Sequence, residues 1–115
     1  MDLKEFDDLI NLGRVTRKVK LGQREIELAT LNSSEYASAM SRVPSEASSA
    51  DKFEVIQREI VAASIVSIDG KLMAPSDKAK LVGAAQLGLS NVLYTEYMKM
   101  VEEQNKTLED AKKNS

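Results

Sequence analysis

The stretch RVTRKVKLGQREIELATL, Arg14 to Leu31, decides the class of fold. Val15, Val19 and Leu21 alternate with Thr16, Lys18 and Lys20, and Ile26 and Leu28 then alternate with Glu25, Glu27 and Ala29. A period of two sends apolar side chains to one face and charged ones to the other, the pattern of a half-buried strand. Gly22-Gln23 separates the runs, and a Gly-X pair supplies the positive φ of a II′-like hairpin turn. Lys18 and Lys20 make the outer face of the first strand basic, and Glu25 and Glu27 make that of the second acidic. Such charges pair across a ribbon for roughly a few tenths of a kcal/mol each. A lone hairpin is marginal in water. This one must pack on helices or add to another sheet.

Helical periods surround it. Leu3, Phe6, Leu9 and Ile10 lie at helical spacing before Gly13, which predicts a short amphipathic helix or arm. Asn32 and Glu35 form a capping-box pattern for a helix through about Val43, and Pro44 ends it. Pro44 to Ala50 is rich in Ser and predicts a surface loop. Asp51 and Glu54 repeat the capping pattern before Phe53, Ile56, Ile60 and Ala63, one apolar stripe. Val61, Ala62, Ile65, Val66 and Ile68 widen that stripe nearly all round, so the spacing predicts a central buried helix through Ile68, closed by an Asp69-Gly70 turn. Pro75-Ser76 opens a further helix, with Gly88 as its break. A long helix follows from about Leu89, with Leu93, Tyr97, Met100, Val101 and Leu108 on it. Its polar end, with Glu102/Lys106 and Glu109/Lys113 at i,i+4, is expected to fray beyond about Gln104 or to await a partner.

The expected architecture is therefore α+β and mainly α: a short N-terminal helix and a hairpin packed on about four helices. One domain covers 1–101, with the hairpin at about 14–31 and the bundle at about 33–101. Residues 102–115 form a polar helical extension.

Composition excludes much chemistry. With no Cys, thiolate nucleophiles, disulfides and thiolate zinc sites are ruled out; with no His, so is the commonest metal ligand and general base. The acid pairs Asp7-Asp8, Glu102-Glu103 and Glu109-Asp110 point about 100° apart on a helix and do not converge. Asp69 lacks an Asp-x-Asp or calcium-loop context, and a turn accounts for it. Ser64 and Ser67 beside Lys71 could make a Ser-Lys pair, but a serine in a buried helix normally bonds the carbonyl one turn back. No enzyme, cofactor or metal site is expected. A net charge of −2 gives no global attraction to nucleic acid or anionic membrane. Arg14, Arg17, Lys18, Lys20 and Arg24 are the local exception, and they support nucleic-acid binding as a minor alternative. The apolar run Ile60–Ile68 is too short to span a bilayer, and the charged Met1–Glu5 start predicts no signal peptide.

The order arm, hairpin, "IELATLNSSEYASAM", "REIVAASIVSIDGKL" and long helix resembles tail assembly chaperones of long-tailed bacteriophages and related small tail and baseplate assembly proteins. The residues that carry the likeness are Leu31, Asn32 and Glu35 at the helix start, with Ser64, Ile65, Ile68, Asp69 and Gly70 in the later phrase. The resemblance covers roughly residues 14–101. It implies a non-catalytic protein that binds a tape measure or baseplate hub protein and keeps its apolar segments soluble, in the host cytoplasm. Phe53, Ile56, Ile60, Leu93, Tyr97, Met100 and Val101 are the expected partner-binding residues, lining a groove between the Phe53–Ile68 and Leu89–Leu108 helices. The Tyr94, Tyr97, Met98 and Met100 group reads equally as interface or core. A structural virion component, with the hairpin augmenting a neighbour's sheet or copies forming a homo-oligomer, is the alternative.

Overall fold

The computed structural model describes residues 2–46 and 48–114. Of the expected loop from Pro44 to Ala50, only Ala47 lies outside them. A 3₁₀ turn (Leu3–Phe6) runs into α1 (Asp7–Ile10), followed by β1 (Thr16–Leu21), β2 (Arg24–Ala29), α2 (Ser33–Ser41) and α3 (Ser49–Ser64). Strands β3 (Ile65–Ile68) and β4 (Lys71–Leu72) come next, then α4 (Pro75–Ala84) and α5 (Leu87–Lys113). The architecture is a mainly helical α+β fold, as the sequence periods predict.

The hairpin forms in the expected register, with Val19 opposite Ile26 and Leu21 opposite Arg24. Gly22 has φ 63 and Gln23 does not take a positive φ, which is the II′ signature. Lys18 stands opposite Glu27 and Lys20 opposite Glu25. The hairpin does both things left open for it: β2 pairs with β3, and the inner face packs on α5.

The expected helix through Ile68 is corrected. Helix α3 stops at Ser64, and Ile65–Ile68 becomes a strand inside an antiparallel sheet ordered β1-β2-β3-β4. An apolar run with no period fits a buried helix or a buried strand equally well. Here three of four residues are β-branched or flank the two-residue turn Asp69-Gly70, and Asp-Gly is the preferred I′ hairpin pair. Both turn residues hold positive φ, 52 for Asp69 and 81 for Gly70. Glycine adopts that region without steric cost, and Asp is among the few others to tolerate it.

One residue is extra on β3. Glu27 pairs with Ser67, yet the next β2 residue, Leu28, pairs with Ile65, leaving Val66 as a bulge. Without the bulge, alternation would send Ile65 to the outer face. With it, Ile65 and Leu28 meet on the inner face, both fully buried.

Smaller corrections concern helix ends. The cap of α3 is Ser48, whose hydroxyl accepts from the Asp51 N–H at 3.2 Å, three residues before the expected start. The break between α4 and α5 lies at Ala85-Gln86, and Gly88 falls inside the first turn of α5. Helix α5 is continuous to Lys113, past the point where fraying was expected. The capping box at Asn32 is as expected: its side chain accepts from Glu35 N at 2.8 Å, and Glu35 accepts from Asn32 N at 2.9 Å.

Helix α3 packs against α2, α4 and α5, and α5 also covers the sheet. The core joins Ile26, Leu28, Val61, Ile65, Val82, Leu93 and Met100. The radius of gyration is 15.4 Å, against roughly 13 Å for a compact chain of this length. The arm and the far end of α5, whose last fully buried residue is Met100, are the elements that bury least and reach outward.

The bulge makes a specific forecast. Ile65→Ala removes a fully buried side chain from the sheet–helix junction and should cost about 2–5 kcal/mol. Val66→Ala, at the half-buried bulge, should cost no more than about 1.5 kcal/mol. Urea denaturation of the two variants measures both; equal losses would contradict the bulged register.

Candidate functional site

The groove expected between the third and last helices is closed. Helix α3 packs directly on α5, and Gln57 Nε2 donates to Asn91 Oδ1 across the seam at 2.6 Å. Of the seven expected partner-binding residues, Ile60, Leu93, Tyr97 and Met100 are buried in the fold's own core. Ile56 and Val101 are half-buried at its edge, and Phe53 is 55% exposed. An apolar helical stripe has the same spacing whether the chain's own helix or a partner covers it. Sequence periodicity therefore could not separate these four from the other three.

At the rim of that seam apolar side chains reach solvent. The Phe53 ring meets Tyr94 edge-on, with centroids 6.1 Å apart and planes at 82°. Edge-to-face pairs contribute about 0.5–1.5 kcal/mol beyond their buried area. Met98, 41% exposed, lies one turn after Tyr94, and Val101 follows at the next step of the same stripe. The Tyr94–Met100 group thus divides by face: Tyr97 and Met100 point into the core, Tyr94 and Met98 to the rim. Burial pushes the Tyr97 phenol above its ordinary value, although a hydrogen bond from Leu31 N to its oxygen works the other way.

The basic hairpin is divided as well. Arg17 belongs to the inner face, where its guanidinium pairs with Glu103 and with Glu96 at 3.6 Å, both on α5. Arg24 Nη1 lies 2.7 Å from Asp69 Oδ2, and Lys18 Nζ lies 3.8 Å from Glu25 Oε1. Three of the five cations therefore face carboxylates of this chain. They point to different faces and do not form one phosphate-binding row.

Asp69 is a structural tie between the two hairpins. Its carboxylate accepts from the Glu25 backbone N–H at 2.9 Å and from Arg24 at 2.7 Å, while its own N–H donates to Glu25 O at 2.8 Å. The backbone N–H, and then the guanidinium, hold this carboxyl below the usual aspartate range. The sequence marked Asp69 as a turn residue, but its partners lie 44 and 45 positions away, and no local pattern contains them.

Ser64 Oγ donates to Val61 O at 2.7 Å, inside the core. Its proton is engaged by the helix one turn back. Of the adjacent acid pairs, Glu103 is engaged by Arg17, and Asp7, Asp8, Glu102, Glu109 and Asp110 are exposed. Among the described residues no group of three or more Asp or Glu could hold a metal ion, and no helix is long and apolar enough to cross a membrane.

No protein-family model matches this chain, and no curated protein or solved structure matches it.

The Asp69 tie sets a pH dependence. Its folded-state pKa is lowered from 3.8, so its contribution is present above that value and is lost as pH falls through the lower folded value. Asp69→Asn should reduce the urea midpoint near neutral pH, and the gap to the parent should narrow as pH falls below 3.8 and the parent carboxyl also protonates. A gap unchanged down to pH 2 would show that the charge on Asp69 has no part in stability.

Proposed function

We propose that this chain is a non-catalytic assembly protein that binds an apolar helix of another protein on the α3–α5 rim, in the manner of phage tail assembly chaperones. The observation that carries the reading is the exposed Phe53 ring against half-buried Tyr94, with exposed Met98 one turn further along α5. Aromatic and Met side chains are enriched at protein interfaces, and Met adapts to partners of differing shape. A client helix presenting i, i+3, i+4 and i+7 apolar positions would lie against Tyr94, Met98 and Val101, with Phe53 at its edge. The core behind the rim stays shut, so the client does not replace Leu93 or Met100. The client is a tape measure or baseplate hub protein, met in the host cytoplasm.

A second reading rests on a different observation. Among the described residues strand β1 has a strand partner on one side only, so the backbone of Thr16, Lys18 and Lys20 faces outward along a sheet edge. A structural component of the particle could use that edge for sheet augmentation.

Co-expression with the tape measure or hub protein of the same genome tests the first reading. A complex should survive size exclusion, and Met98→Glu should weaken it by at least about tenfold while leaving the far-UV spectrum and melting unchanged. No complex, or one indifferent to both Met98→Glu and Phe53→Ala, contradicts the rim as the client surface. Stoichiometric presence of the chain in purified particles would favour the structural component instead.

A further inference from the structure

Two features stand out among the described residues for how little of this chain covers or pairs with them. The first is the arm. Leu3, Phe6, Leu9, Ile10 and Leu12 are 61%, 40%, 65%, 54% and 42% exposed, and no residue of the turn or of α1 is buried. Asp2, Glu5, Asp7 and Asp8 flank this apolar stripe against a single cation, Lys4, so the arm is apolar and acidic. Each Å² of apolar surface left in water forgoes about 25 cal/mol. Its root is fixed: Gly13 has φ +82 and sits so close to α5 that a Cβ there would come within 3.0 Å of Leu108 Cγ.

The second is a cleft of about 510 Å³ between α2 and α4, with Ala62, Ala63 and Ala79 among its lining. Alanines let a docking helix approach closely. Two cations line the cleft. Arg42 Nε is held by Glu59 Oε2 at 2.6 Å. Lys78 is half-buried, lines this cleft and an adjoining one of about 530 Å³, and has no ion-pair partner among the described residues. Glu35, which lines both, is committed to the capping box of α2. Glu35 and Glu59 also line the cleft, but neither pairs with Lys78, so its ammonium is open to an incoming carboxylate.

We infer that the arm of one copy docks in the α2–α4 cleft of a second copy, with Phe6 and its neighbours on the alanine lining and an arm carboxylate on Lys78. The occupant follows from charge and polarity together: an acidic apolar segment without a site, and an apolar site with an unpaired cation. Reciprocal exchange closes into a two-fold dimer and buries both arms. This surface is separate from the α3–α5 rim, so the inference stands or falls independently of the client.

Sedimentation of the full chain over a wide concentration range tests it. The parent should pass from monomer to twice that mass. Phe6→Asp and Lys78→Glu change surface positions, and each should weaken association by at least about tenfold with unchanged melting. An equimolar mixture of the two variants should associate where neither does alone, because it restores one intact arm and one intact cleft. A parent that stays monomeric throughout, as it would if the arm folded back on its own chain, overturns the inference. So does association that survives either variant, or a mixture that stays monomeric.

Discussion

Everything else in the molecule depends on how one apolar run, Ile60 to Ile68, serves both as the end of a helix and as an inner strand. Helix α3 brings Ile60, Val61 and Ser64 into the core, and the very next residue, Ile65, must face the same core from a strand. The bulge at Val66 reconciles the helical period with the strand period of two. Ile65 then meets Leu28 from β2 and the Leu93–Met100 side of α5 in one cluster. Asp69-Gly70 turns the chain back, and the Asp69 carboxylate ties that turn to the first hairpin. Sheet, central helix and long helix are thereby fixed to one another at a single junction.

Much of this was legible in the residues. The first hairpin, its turn, its cross-strand charges, the Asn32 capping box and the Pro75 helix start are local patterns, and local patterns are what a sequence displays. The second hairpin was missed although Asp-Gly signals one, because the apolar run ahead of it continued a strong helical stripe. Periodicity does not identify the residue at which a buried helix becomes a buried strand. The bulge was illegible for a further reason: it is defined by pairing with β2, some forty residues earlier in the chain.

The same limit governs the site. Seven apolar residues at helical spacing were expected to meet a partner, and four of them meet the chain's own helix. Spacing tells which face is apolar; only packing tells what covers it. The basic residues of the hairpin illustrate the point with charge. Arg17 and Arg24 look free in sequence, and their carboxylates come from α5 and from the second turn. The apolar surface left over includes an aromatic and Met rim beside the core and an arm with no buried residue, and the proposed client and the proposed second copy use one each.

Met98 and Met100 offer the most direct test, because they lie two residues apart on nearly opposite faces of α5, one exposed and one fully buried. Their methyl resonances can be followed while a client helix is titrated into the protein. Binding on the rim predicts that the Met98 methyl shifts with the titration and the Met100 methyl stays where it was. A large shift or broadening at Met100, with Met98 unmoved, would mean that the client enters by parting α3 from α5, and would contradict a closed core beside an open rim.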